Sequence, residues 1–307
     1  MEKIHQMEVG PETSIDSLID GMRHCGFGAR RLAEAVDIYE NMLSENYRKF
    51  LTISGAMVPA GMRNIISGLI RQRHVDVLVI TGANLVHDII ESDGSHYIGS
   101  PQSDDAALRE AGLSRIYDVY LRDEEFIRFE ELMQRMLPDS AETMSGIEFL
   151  RILGSQIRDG KSILRSAWEC NVPVFCPALS DSMIGLQAWL HSQTKRLSVD
   201  AFADIKQIVD ICYESPDAGI VIIGGGVPKN FALQSMLVTP NSFKLAVQLT
   251  TDTPEAGGLS GATLSEAVSW GKVAADARYV TVYGDATITF PLMAAAALSR
   301  LEKMSPG

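Results

Sequence analysis

Five short apolar runs, each closing on small or polar residues and followed by a helical pattern, constrain this chain more than any other feature. They are Val75–Ile80 ending in Thr81-Gly82-Ala83-Asn84, and Val172–Phe175 ending in Cys176-Pro177-Ala178-Leu179-Ser180-Asp181. Gly219–Ile223 follows, ending in Gly224-Gly225-Gly226, then Phe243–Leu249 ending in Thr250-Thr251-Asp252, then Tyr279–Tyr283 ending in Gly284-Asp285-Ala286. Strand-like runs alternating with helical patterns form a parallel sheet with crossover helices. The expected fold is therefore α/β, a Rossmann-like parallel sheet flanked by helices. Ligands of such sheets bind beyond the carboxyl ends of the strands, where these Gly, Thr and Asp residues collect.

The rest of the chain supplies helices and decoration. Residues 1–14 are polar and read as a loose tail, and 15–303 as a single domain. Apolar residues recur at helical spacing from Ile15 to Met22 and from Ala29 to about Phe50. Pro59 opens a further helix through about Arg73, and Glu124–Leu137 is amphipathic. The stretch SDGSHYIGSPQSDD, from Ser92, reads as an excursion from the sheet edge. A net charge of −12 argues against a general nucleic-acid binder. The four cysteines (Cys25, Cys170, Cys176, Cys212) and the histidines show no zinc spacing, so no metal is expected and the thiols fit a reducing cytoplasm. No apolar run reaches membrane-spanning length.

One lysine stands out. Thr263 and Glu266 have the capping-box spacing, so a helix is expected from Leu264. Continued through Ala275, it places Lys272 at the edge of an apolar face, between Val268 and Ala275. An ammonium there either snorkels to water or has its pKa lowered, which exposes a nucleophilic amine. Glu266 is either the third residue of the capping box or a ligand. Trp270 is either a core aromatic or a platform for an alkylammonium. Asp181 and Asp285 follow strands, where a carboxylate caps the next helix or meets a ligand. Gly224-Gly225-Gly226 is a close-approach turn or a phosphate cradle, without the ordinary dinucleotide spacing. There is no nucleophile elbow and no Walker lysine loop.

The motifs E-A-V-S-W-G-K (266–272) and V-x-V-Y-G-D-A (280–286) resemble the active-site stretch of the deoxyhypusine synthase family. V-P-V-F-C-P-A-L-S-D (172–181), I-I-G-G-G-V-P-K (222–229), V-D-V-L-V-I-T-G (75–82) and G-F-G-A-R-R-L-A-E-A (26–35) match it in order. The resemblance implies an NAD-binding catalytic domain in a homotetramer, with active sites at a subunit interface. It also implies a reaction. A hydride passes from the carbon beside a spermidine nitrogen to NAD, a lysine holds the aminobutyl group as a Schiff base, and an acceptor amine takes it. Lys272 matches that lysine, and Trp270 and Glu266 match substrate positions. Thr81, Asp181, Gly224, Gly225, Thr251, Asp285 and Ala286 match cofactor positions.

The chain also departs from the pattern. Family acids that grip the polyamine fall at Ala256 and Leu259, and a further substrate aspartate falls at Leu186. A substrate histidine falls at Asn230, and two cofactor-side polar positions at Ala56 and Pro59. Each lost charge-assisted hydrogen bond is worth roughly 1.5–3 kcal/mol, with Asp252 and Glu255 in the same loop as partial replacements. The leading expectation keeps the family chemistry and shifts the substrate to a small amine or polyamine such as putrescine, agmatine or a homospermidine-type compound. The alternatives are a true deoxyhypusine synthase acting on spermidine and a translation-factor lysine, and a non-catalytic NAD-binding protein.

Overall fold

The computed structural model describes residues 3–304; Met1 and Glu2 of the expected tail, and residues 305–307, lie outside the described residues. The chain opens with α1 (Ile15–Arg23), α2 (Phe27–Ser44) and β1 (Arg48–Ile53), then α3 (Arg63–Arg71), β2 (Val77–Ile80) and α4 (Gly82–Glu91). Next come β3 (Tyr97–Ile98), α5 (Asp105–Glu110), β4 (Leu113–Ile116), β5 (Val119–Arg122) and α6 (Asp123–Met136). β6 (Met144–Ser145), α7 (Gly146–Gln156), α8 (Ile163–Cys170), β7 (Val174–Phe175), α9 (Met183–Ser192), β8 (Val199–Asp200) and α10 (Ala201–Tyr213) follow. The chain closes with β9 (Ala218–Ile223), α11 (Gly226–Met236), β10 (Phe243–Thr250), α12 (Leu264–Ser269), β11 (Val273–Tyr283) and α13 (Ala286–Met304). Two compact units result, one combining the segment up to Ile53 with that from Gln207 onward, the other being Ser54–Lys206.

The first unit holds a parallel sheet of order β11-β10-β9-β1. β9 is buried along its whole length and β10 everywhere except Lys244. That is why these strands read as unbroken apolar runs: both faces are covered. α2 packs on β10, β11 and α13, and α11 packs on β1. Phe50 and Phe243 meet edge to face with ring centroids 5.1 Å apart. A Cβ on Gly219 would lie 2.7 Å from the Met42 side chain, so the glycine provides the space that Met42 fills.

One strand was not expected. The helix read to about Phe50 stops at Ser44, and Arg48–Ile53 is a strand registered on β9 from Arg48↔Ala218 to Ile53↔Ile223. Helical spacing of apolar residues carries past Ser44, yet the ladder with β9 offers Phe50 to Ile53 full burial. The helix expected at Pro59 also differs. It begins as a π turn, Val58–Met62, containing Gly61 at φ 92°, and becomes regular at Arg63.

Electrostatics join α1, α2 and α13. Arg300 donates to Asp16 (2.6 Å), Asp20 (2.7 Å), Asp37 (2.9 Å) and Glu40 (3.1 Å), and Lys303 adds a second cation on Asp16. Hydrogen bonds from Arg300 and Lys303 hold the Asp16 carboxyl below its usual range.

The second unit pairs β2 with β7 in parallel and β6 with β8 in parallel. The excursion after Ser92 contains an antiparallel sheet of order β3-β5-β4. A buried carboxylate organises its helices. Asp88 of α4, 0% exposed, accepts from Arg63 Nε (2.7 Å), Ser162 Oγ (2.8 Å), Ile163 N (2.9 Å) and Leu164 N (3.1 Å). It thus neutralises a buried guanidinium and sits on the positive end of α8.

Replacing Asp88 by Ala strands these donors, and urea denaturation should register a loss of about 3–5 kcal/mol, the scale for breaking a buried pair. For Asp16, a folded pKa below the unfolded one means its stabilisation is present above the unfolded value and is lost as pH falls through the folded one. Thermal melts of Arg300→Met should therefore show a shallower acid-side decline than the wild type.

Candidate active site

Lys272 does not ride on a helix. α12 ends at Ser269, Trp270 is its C-cap, and Gly271 takes the left-handed conformation at φ 71°. Gly271 N–H donates to Val268 O (2.9 Å) and Lys272 N–H to Ala267 O (3.0 Å), the double bond of a Schellman ending. The helical continuation to Ala275 expected from the sequence fails at this glycine. Lys272 instead leads directly into β11, and its carbonyl accepts from Phe243 N (3.1 Å). It is half-buried, with Nζ 5.6 Å from the Trp270 ring centroid, while the indole is 62% exposed. That geometry suits a cation over an aromatic face.

The capping of α12 is one-sided. Thr263 Oγ1 accepts from Glu266 N (3.1 Å), and the exposed Glu266 carboxylate acts through space on Lys229. Lys229 is the buried lysine of this region. Desolvation pushes it down to about 8, Glu266 opposing and Lys272 reinforcing the shift. Lys229 closes the I-I-G-G-G-V-P-K motif, three residues after the glycine triplet and directly behind Pro228, and that place is the one sequence signal of its burial.

The glycines have separate reasons. Gly224 (φ 73°) and Gly226 (φ 59°) are left-handed, whereas Gly225 is extended and lies against Ser260. Gly224, Thr251 and Asp285 follow the carboxyl ends of β9, β10 and β11, while Lys272 precedes the amino end of β11. Within this unit the sheet gathers the glycines, Thr251, Asp285 and Ala286 at one edge, and the Lys272 backbone at the other.

The open questions about the aspartates now divide. Asp285 Oδ1 accepts from Thr287 N (2.8 Å), so it caps its own helix. Asp181 is exposed and is spared that job, because Ser182 caps α9 by accepting from Gly185 N (3.1 Å). Thr81 Oγ1 accepts from Asn84, whose buried amide also ties Gly55 O (2.7 Å) and Val58 N (3.0 Å). α4 and α11 both open without a side-chain cap hydrogen bond, and the positive end of each helix dipole favours an anion such as a diphosphate. Thr81-Gly82 and Gly224–Gly226, each in its own unit, are thus suited to phosphate.

The positions that depart from the family pattern face solvent where acids were expected: Ala256 and Leu186 are exposed and Leu259 is 49% exposed. Glu255 is folded back on its own loop, its carboxyl held down by its own backbone N–H and by the Thr253 hydroxyl. In the second unit His87 Nδ1 and His96 Nε2 are 2.9 Å apart, and His96 Nδ1 is 2.6 Å from Glu91. Burial, then the neighbouring His96, pushes His87 down to about 4. A cavity of about 760 Å³ is lined by His96 with Glu91, Arg63, Arg158, Asp159 and Lys161. One of about 510 Å³ lies beside Thr263, Arg31 and Tyr283. Lys272 lines neither.

Over residues 17–297 the chain matches the family described as deoxyhypusine synthase. The chain belongs to the deoxyhypusine synthase family. A Methanosarcina acetivorans protein named "Probable deoxyhypusine synthase 1" is 55% identical over 301 residues, covering 96% of this chain and 94% of its own. An Archaeoglobus fulgidus protein of the same name is 45% identical over 299 residues, covering 97% and 98%. A solved structure from Entamoeba histolytica that carries the deoxyhypusine synthase name has a TM-score of 0.70 at 18% identity, covering 94% of each chain, and shows the shared fold. Members of the family are transferases that move an aminobutyl group and use NAD, so this chain is an enzyme of alkyl-group transfer. The family supports the spermidine alternative better than the expected shift to a small amine. No helix among the described residues is long and apolar enough to cross a membrane, and no cluster of metal-ligating side chains is found among them.

The Schellman ending gives a direct test of how Lys272 is held. Gly271→Ala meets no neighbour within 4 Å, so its cost is conformational, about 1–2 kcal/mol for a left-handed β-carbon. Chemical denaturation should show that loss, and Gly271→Asn, which tolerates the conformation, should show less.

Proposed function

We propose that this chain is a deoxyhypusine synthase that transfers the aminobutyl group of spermidine to a lysine of a translation factor through Lys272, in the cytoplasm, with residues 15–303 as the catalytic domain. The observation that carries the reading is near full-length similarity, at 55% and 45% identity, to relatives bearing that name. NAD, when bound, supplies the hydride acceptor that converts the donor carbon beside nitrogen to an imine carbon, and returns the hydride to the final imine. The residues that would hold it are, by the family resemblance, Gly224, Gly225, Thr251, Asp285 and Ala286 in the first unit, and Thr81 and Asp181 in the second, with the helix starts of α11 and α4 attracting phosphate. Lys272 Nζ adds to the donor carbon and expels the smaller amine, which departs with the proton from Lys272. The acceptor amine then displaces Lys272 in the same manner, and the lysine is regenerated. Trp270 offers its indole face to the cationic chain, and Glu266 its carboxylate.

A homotetramer with active sites at a subunit interface accompanies this reading. Its support is membership of the family whose resemblance implies that assembly.

A second reading, transfer among small amines such as putrescine or agmatine, is favoured by one feature. The loop before α12 presents Ala256 and Leu259 to solvent, and Glu255 is turned back on Thr253. Incubation with NAD and each amine, with or without the acceptor factor, followed by borohydride trapping and peptide mass mapping, decides between them. Spermidine with the acceptor should give the fastest turnover and an aminobutyl mass on Lys272; faster transfer from putrescine or agmatine would overturn the proposal. Lys272→Arg should fold normally and yield no adduct, and turnover surviving in that variant would remove Lys272 as the nucleophile.

A further inference from the structure

Lys229 of α11 is 3% exposed and takes no part in the chemistry assigned above. A buried ammonium needs acceptors for its three N–H groups. It has them in Gln248 Oε1 (3.1 Å), the Leu259 carbonyl (3.2 Å) and the Ala262 carbonyl. Gln248 Nε2 donates in turn to Gly224 O (2.9 Å) and Ser260 O (2.8 Å). Gly225 backs onto the same loop so closely that a Cβ would lie 2.3 Å from the Ser260 Cα. Residues 259–262 are thus held against the glycine turn by two side chains and one bare backbone.

What precedes and follows this contact makes it consequential. Thr251 through Gly258 are exposed. Immediately after Ala262 comes Thr263, the cap of α12, and α12 runs into Trp270 and Lys272. A shift of 259–262 therefore shifts the start of the short helix that delivers the amine-side residues.

We propose that Lys229 is a positioning residue: with Gln248 it clamps the loop before α12 to the glycine turn after β9, and so sets the working place of the amine-binding side of the site. The inference rests on Lys272 being the nucleophile. Lys229 is unsuited to that part, because its Nζ is buried and turned to Gln248 and the Leu259 and Ala262 carbonyls, out of reach of a substrate. The clamp also links two halves of the proposed chemistry, since one end is a cofactor position and the other leads to the substrate positions.

The test compares Lys229→Met, which removes all three donors, with Lys229→Gln, which keeps an amide donor. A displacement near 1 Å lowers turnover by about 100-fold, and kcat for amine-dependent NADH formation should fall on that scale in Lys229→Met. The KM for NAD should stay within about threefold, a loss of transition-state rather than ground-state contacts. Deuterium exchange of the 257–262 amides should quicken by about tenfold or more while β9 and β10 keep their protection. Lys229→Gln should fall between, and borohydride should still label Lys272 in both, more slowly. Turnover of Lys229→Met within about threefold of wild type, unchanged loop exchange despite lost turnover, or trapped mass on Lys229 would each overturn the clamp. Should Lys229→Met fail to fold, the same readings on Lys229→Gln decide. Turnover surviving in Lys272→Arg sinks the nucleophile reading by itself and leaves the loop-exchange result standing, so the two failures are distinguishable.

Discussion

A lysine ammonium taken out of water must be given oxygen acceptors, and the loop and helix that lead to Lys272 follow from how that demand is met at Lys229. Its acceptors are one side chain and two loop carbonyls, so satisfying the charge fixes the loop. The loop in turn fixes the cap of α12, and the Schellman turn at Gly271 fixes where the next residue, Lys272, enters β11. Each step is a local hydrogen-bonding requirement of a few residues. Together they place a half-buried lysine beside the indole of Trp270.

Much of the scaffold was legible because its signals are local. β9 and β10 are covered on both faces, so they read as unbroken apolar runs; the Gly, Thr and Asp that follow are what close approach and helix starts need. β1 was missed because its partner, β9, lies about 170 residues away in sequence, and pairing of that kind leaves no periodic trace in Arg48–Ile53 beyond a weak one. The end of α12 was missed for a different reason. The apolar spacing runs on past Trp270, and a single glycine at φ 71° overrides it. The motif singles out Lys272, whereas the burial of Lys229 is not legible locally, because it depends on carbonyls from a loop about 30 residues on.

The two units solve the problem of buried charge differently from the site. Around Asp88 a buried carboxylate pairs with the Arg63 guanidinium, with backbone N–H groups of α8 completing its set. At Arg300 one guanidinium answers four carboxylates at the edge of three helices. In both, each charge is answered by opposite charge within the fold. On the way to Lys272 the groups are open instead: Glu266 and Trp270 are exposed, while the Lys229 ammonium is engaged with Gln248 and the loop. Exposed groups of this kind suit the cationic substrate proposed above.

The entry of Lys272 into a strand has an implication for how the sequence around it can vary. A residue carried on a helix changes its heading by about 100° whenever one residue is inserted or lost before it. Lys272 is instead held from both sides: its N–H donates to Ala267 O of α12 and its carbonyl accepts from Phe243 N across the sheet. Its place is therefore fixed by the end of α12 together with the first rung of the ladder, so the outward residues of α12 can change freely while its length and its stop cannot.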